Sequence, residues 1–229
     1  MMESVQSRLA SYFLSRFRKQ PLRMKPEDLR NLRLSFSQFG EDLVIVEALL
    51  NLRAVEKGVY LDAGCFDPYR FSNTRLLHLL GWRGINIDGT REVIENFKRE
   101  RPQDENVCAV LSDREESASF GGAKNQAGMR LIRGTTNSGD AKVQTTTLNS
   151  IMVASGFKNQ KIDLLDIDCE GFDLTVLQGI DLNRYRPRVI CIEAHTLSEQ
   201  AAIADYLVPF SYRLLADRLP SRIFLDAAG

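Results

Sequence analysis

The stretch from Val59 to Thr74, VYLDAGCFDPYRFSNT, leaves the chain few ways to fold. Val59, Tyr60 and Leu61 read as a short buried strand that Asp62 closes. Gly64 follows, where a backbone can turn sharply or approach a ligand with no Cβ in the way. After a proline corner at Pro68, Ser72, Asn73 and Thr74 are natural caps for a helix predicted over Arg75–Leu80. The first amides of that helix suit an anionic group. A second apolar run, Gly84–Ile87, ends in another acid, Asp88. Strand, glycine turn, helix, strand and terminal carboxylate form the nucleotide-binding half-unit of a doubly wound sheet.

The same punctuation recurs downstream. Asn106–Leu111 is a third strand candidate, and Ser112 and Asp113 after it are placed either for a nucleobase edge or for an ordinary turn. In IDLLDIDCEGF, Asp166, Asp168 and Glu170 alternate with apolar residues, which puts three carboxylates on one side of an extended strand or at its mouth. Burying three like charges is costly, so at least one should meet a cation, a donor or solvent. Asp168 and Glu170, nearest the carboxyl end, face the crevice where doubly wound sheets bind ligands. Gly171 permits the turn into a helix predicted over Asp173–Gln178. The run Arg188–Ile192 ends in Glu193-Ala194-His195, and a histidine beside a carboxylate is a candidate general base or metal ligand as well as a pair of loop residues. A helix near Glu199–Leu207 and strands at Tyr212–Leu215 and Arg222–Leu225 close the chain.

The remaining features bound the function. The 229 residues suit an N-terminal helical extension, 1–34, and one ordinary domain, 35–229. Lysine plus arginine and aspartate plus glutamate each number 30, so overall charge gives no argument for nucleic acid or an anionic membrane. Cys65, Cys108, Cys169 and Cys191 lie scattered in or beside apolar runs, which predicts reduced, mostly buried thiols and a cytoplasmic protein. No apolar run is long enough to span a bilayer, and no signal peptide is evident. Val5, Leu9, Phe13 and Phe17 fall near helical spacing among basic residues. Such a helix would touch a membrane surface or a partner, or else fold back on the domain or pack in a homo-oligomer. In SFSQFGED, Gly40 precedes Glu41 and Asp42 at a predicted helix start. Ser117–Thr136 reads as a short hairpin or a mobile loop near the site.

FSQFGED, LDAGCFDPYRFSNT, GWRGINIDGT, TTTLNSI, IDLLDIDCEGFDLTVLQGID and YRPRVICIEAH, in this order, resemble the FkbM family of S-adenosylmethionine-dependent methyltransferases. The resemblance spans roughly Ser35 to the C-terminus. It implies a Rossmann-like α/β fold with a seven-stranded sheet, mostly parallel with the last strand antiparallel. It also implies methyl transfer, commonly to a hydroxyl oxygen of a sugar or other small acceptor. By that likeness Asp62 and Gly64 belong to the cofactor loop, Asp88 to the ribose diol and Ser72–Thr74 to the methionine end. Gln38 and Glu41 match a segment near the same pocket. Gly89-Thr90 after Asp88, and Asp166 in place of the family's usual lysine, depart from the pattern.

For the acceptor side, Asp168, Glu170, Glu193 and His195 are the expected catalytic cluster. They would act directly or through a divalent metal, for which Asp168 and Glu170 are the candidate ligands. Two other functions fit parts of the sequence. One is a methyltransferase-like binding module without catalysis. The other is a nicotinamide-dependent oxidoreductase, against which the absence of GxGxxG argues.

Overall fold

Apolar runs separated by helical segments dictate a sheet covered on both faces, because each inner strand must bury both sides. The computed structural model of the chain describes residues 33–51, 57–121, 130–132 and 141–228 and has this architecture. In chain order its first half contains α1 (Glu41–Asn51), β1 (Val59–Ala63), α2 (Arg75–Leu79), β2 (Arg83–Asp88), α3 (Arg91–Glu100), β3 (Glu105–Cys108), β4 (Val110–Leu111), β5 (Ser117–Gly121) and β6 (Arg130–Ile132). The second half contains β7 (Ala141–Thr146), α4 (Leu148–Ala154), β8 (Leu164–Ile167), α5 (Asp173–Gln178), β9 (Val189–Glu193), α6 (Leu197–Leu207), β10 (Tyr212–Arg218) and β11 (Ser221–Asp226). These elements lie in a compact unit that begins at Ser35. The amphipathic helix expected around Val5–Phe17 lies outside the described residues.

The large sheet has the order β10-β11-β9-β8-β1-β2-β3. Neighbours from β9 to β3 pair in parallel, β11 runs antiparallel to β9, and β10 antiparallel to β11. Strand order reverses between β1 and β8, so the ligand crevice of an open α/β sheet falls at the carboxyl ends of these two strands. Alternate residues face opposite cores. Leu61, Ile85, Leu165 and Ile190 join α4, α5 and α6 in one cluster. Tyr60, Leu164, Val189 and Cys191 join α1, Leu77 and Trp82 in the other. Asp62 shares the second face and pairs in register with Asn86 and Asp166, which pairs in turn with Cys191. A polar row therefore crosses the middle of an apolar sheet.

The run Asn106–Leu111 is two strands rather than one. Ala109 N–H donates to Asp88 O at 3.0 Å, and β2 ends there, so no further rung is on offer. Val110 and Leu111 turn instead to Thr145 and Thr146 of β7, in a second sheet of order β4-β7-β5-β6. β5 and β6 pair antiparallel, which favours the hairpin over the loop among the two readings of Ser117–Thr136. The rest of that stretch is outside the described residues. Thr147 caps α4, accepting from Ser150 N–H at 3.0 Å. Among the described residues no helix is long and apolar enough to cross a membrane.

Candidate active site

The first half of the site grows from the end of β1. Gly64 has φ +86°, and its amide donates to Ile87 O at 2.9 Å, hooking the turn over β2. A Cβ here would lie 1.8 Å from the Asp168 carbonyl oxygen. The glycine is thus required both by conformation and by the approach of the segment after β8. Asp88, closing β2, accepts from Thr90 N–H at 2.7 Å and Phe66 N–H at 3.3 Å, so it ties the glycine turn to the start of α3. Burial raises its carboxyl above the usual range, against the hydrogen bonds from Thr90 and Phe66. Asp62 is buried and accepts from Thr74 Oγ1 at 2.6 Å through Oδ2. Its Oδ1 accepts no hydrogen bond among the described residues. Burial pushes this carboxyl up to about 6, while the Thr74 hydrogen bond and the Arg101 charge hold it back.

Ser72 and Thr74 are fully enclosed, and their hydroxyls do not cap α2. They turn inward to Arg101, the residue that caps the carboxyl end of α3. Its guanidinium, also enclosed, donates to Thr74 Oγ1 at 2.8 Å, Ser72 Oγ at 3.0 Å, Pro68 O at 2.9 Å and Asn86 Oδ1 at 3.4 Å. Asn73 points the other way, donating from Nδ2 to Asp166 Oδ1 at 3.0 Å. Asp166 is buried within β8, and burial followed by the charge of Asp62 lifts its carboxyl well above the ordinary range. The segment before α1 docks on the same loop, with Ser72 N–H donating to Phe36 O at 3.1 Å. Glu41 is buried there and accepts from Phe39 N–H at 2.7 Å and Ser221 Oγ at 3.4 Å, whereas Gln38 is exposed. Ser112 lies buried past β4, its hydroxyl donating to Asp113 Oδ1 at 3.0 Å.

The second half lies at the mouth of β8 and β9. Asp166, Asp168 and Glu170 do not form one carboxylate face, because the strand ends at Ile167. Asp168 N–H makes a last contact with Ala63 O at 2.9 Å, and Glu170 and Gly171 then take left-handed conformations, φ +52° and +89°. Asp173 organises this turn, accepting from Cys169 N–H at 2.7 Å and Gly171 N–H at 2.9 Å. Burial pushes its carboxyl to about 6. His195 Nε2 lies 3.0 Å from Glu193 Oε2. The Thr196 capping box of α6 fixes the backbone here, with Glu199 Oε2 accepting from His195 N–H and Thr196 N–H at 2.9 Å each. Burial raises Glu193 to about 7, with the charges of Asp173, Glu170 and Glu199 adding to it. Asp168 opens to solvent at the residue level, yet the protein packed around its carboxyl and the neighbouring Glu193 push it well up. Beside these groups a cleft of about 250 Å³ opens between α5 and α6, lined by Gly171, Asp173, Glu193, Ser198 and Glu199.

The structure thus gathers Asp62, Gly64, Ser72, Asn73, Thr74 and Asp88 at one end of the crevice, and Asp168, Glu170, Glu193 and His195 at the other. Gly64 and Asp168 touch at the boundary. Asp173 and Arg101 are the additions; the only sequence signal for Asp173 was its place two residues past a glycine.

A strand order of 3-2-1-4-5-7-6 within the large sheet, with a glycine turn at the switch point and acids closing β1 and β2, defines a Rossmann-like methyltransferase fold. The chain belongs to the family of the methyltransferase FkbM domain, whose model matches residues 62–214. Neither the curated proteins nor the solved structures gave a match. Membership implies S-adenosylmethionine as cofactor and methyl transfer as the reaction. The residues fit a ligand with a diol and positive charge: Asp88 stands at the crevice, and Asp62 keeps one carboxylate oxygen without a donor among the described residues.

Proposed function

We propose that the chain methylates a hydroxyl oxygen of a sugar or small metabolite, with Glu193 and His195 removing the proton. The observation that carries this reading is the His195 Nε2–Glu193 Oε2 contact of 3.0 Å at the mouth of β9, bordering the cleft. When bound, S-adenosylmethionine supplies a methyl group on a sulfonium, which needs no acid to leave. The chain must hold the cofactor, align the acceptor and take its proton. Asp88 would hold the ribose diol, Asp62 and the Ser72–Thr74 loop the methionine end, and Ser112 the base edge. Glu193 Oε2, 3.0 Å from Nε2, takes no hydrogen bond among the described residues; a turn of the imidazole that directs Nε2–H at it would leave the Nδ1 lone pair for the acceptor hydroxyl. A cleft lined by Asp173, Glu193 and Glu199 suits a neutral, hydroxyl-rich acceptor better than a phosphorylated one.

A divalent cation is the second reading. Oxygens of Asp168, Asp173 and Glu193 lie within 4.8 Å of one another, as do the donor atoms of Glu170, Glu193 and His195. All are hard or borderline donors. One experiment addresses both: transfer of labelled methyl from S-adenosylmethionine to a panel of neutral sugars and hydroxylated metabolites, with and without chelator. Asp168→Asn and His195→Ala should each lower transfer at least roughly a hundredfold while leaving S-adenosylhomocysteine binding intact. Full transfer by both variants would remove the assignment. Loss of transfer on chelation, restored by magnesium, would favour the metal. Saturable cofactor binding with no turnover on any acceptor would favour a binding module.

A further inference from the structure

A buried guanidinium with no carboxylate beside it is costly, and Arg101 is such a group. It is fully enclosed, no acid lies within ion-pair distance among the described residues, its four hydrogen bonds are to neutral oxygens, and the Phe97 ring lies 4.9 Å from it. Its Nε has no hydrogen-bond partner among the described residues. Replacement of the whole group by apolar side chains would spare that cost, so the charge calls for a use other than packing.

The hydrogen-bond directions supply one. Thr74 Oγ1 accepts from Arg101 Nη1 at 2.8 Å, and the hydroxyl's single proton is then directed to Asp62 Oδ2 at 2.6 Å. Ser72 Oγ, 3.3 Å from Thr74 Oγ1, accepts from the other nitrogen of the same fork. Both hydroxyls are thereby oriented, the loop from Pro68 to Thr74 is held at three points, and Asp62 is fixed with Oδ1 left over. We infer that Arg101 is the positioning residue of the cofactor site: through Thr74 it orients the Asp62 carboxylate and keeps it ionised for the cofactor's positive end. The inference rests on the methyltransferase reading and extends it to a residue that never touches ligand.

Asp62 is surrounded by acids. Burial raises its carboxyl first, the charges of Asp88 on β2 and Asp104 after α3 raise it further, and its own charge raises Asp166 on β8. Asp104 is itself engaged by Tyr60, His78 and Asn86. The thiols of Cys65 and Cys169 stay neutral, because burial raises both. Arg101 is the cation that opposes this set.

The test is calorimetric titration of the full chain with S-adenosylhomocysteine from pH 5 to 8, on wild type, Arg101→Lys, Arg101→Gln and Thr74→Val. Wild-type affinity should fall as pH drops through about 6, where Asp62 takes up its proton. In Thr74→Val and Arg101→Gln that midpoint should move up by about one pH unit, so that affinity falls about twofold near pH 7 and about tenfold near pH 5. Arg101→Lys keeps the charge and loses the fork, so its midpoint should stay while affinity falls. Thr74→Val leaves the buried charge in place and carries the test should Arg101→Gln not fold. A merely structural role would weaken binding equally at every pH, and an unmoved midpoint in folded Thr74→Val overturns the inference. If wild type shows no saturable binding, the methyltransferase reading falls and this inference with it; binding by wild type with unchanged variants overturns the inference alone.

Discussion

At Gly64 two requirements meet in one residue. The positive φ asks for glycine, and the Asp168 carbonyl oxygen occupies the space of a side chain. Gly64→Ala must push β1 and the start of the Asp168 turn apart, or else break the 2.9 Å bond from its amide to Ile87 O. The expected cost is about 3 kcal/mol or more, since strain and overlap add. Chemical denaturation should show that loss, and any folded fraction should bind S-adenosylhomocysteine poorly. Near-wild-type stability would mean that the backbones can part freely. The sequence made this glycine legible because backbone geometry leaves a residue-type signature. Arg101 and the inward turn of Thr74 left none. A buried arginine and an exposed one look alike at the end of a polar helix, and a threonine before a helix reads as a cap until a stronger acceptor, here Asp62, claims its hydroxyl.

At the scale of elements, strands and helices were readable because each inner strand is a short apolar run closed by an acid or a glycine. The reading failed where continuation depended on a partner strand: Asn106–Leu111 breaks at Ala109 because β2 has ended. It failed likewise at Asp166–Glu170, where period two holds only as far as the strand does. Beyond β8 the chain enters a turn whose amides converge on one side chain. Asp173 accepts from Cys169 and Gly171, so the loop carrying Asp168 and Glu170 is anchored to the first turn of α5. An asparagine there can accept only with its carbonyl oxygen and sets an NH2 group against one of the two amides. Asp173→Asn should therefore cost about 1–3 kcal/mol of stability. It should lower methyl transfer through a misplaced Asp168 while S-adenosylhomocysteine affinity stays within about twofold, the cofactor loop being anchored separately through Arg101. Equal loss of cofactor binding would show that the two halves of the crevice move as one.

At the scale of the whole molecule, Asp62, Asp88, Asp166, Asp168, Asp173 and Glu193 meet at one end of the sheet, each with its carboxyl raised by burial. Asp62 and Asp173 rise from 3.8 to about 6 and Glu193 from 4.5 to about 7, burial being the first cause of each. Asp166 and Asp168 are also raised. Each binds its proton more tightly folded than unfolded, so its stabilising contribution is complete below the unfolded value and is lost as pH rises through the folded one. Lowered groups such as Asp104 and Asp226 work in the opposite sense, below the ordinary carboxylate range. The ligand-free protein should therefore melt at a higher temperature at pH 5 than at pH 8, the fall contributed by Asp62, Asp173 and Glu193 fading as pH passes through about 6 to 7. Glu193→Gln cannot titrate and should flatten the upper part of that fall. A melting temperature that holds level or rises from pH 5 to pH 8 would mean that the acids ionise without cost, through bound cations or solvent that reaches them. That loss of stability is tied to the same ionisations that the site needs, a free Asp62 carboxylate for the cofactor and a Glu193 able to support His195 as a base. Cofactor binding should thus restore most of the lost melting temperature at pH 8 and little of it at pH 5, where the carboxyls already carry their protons.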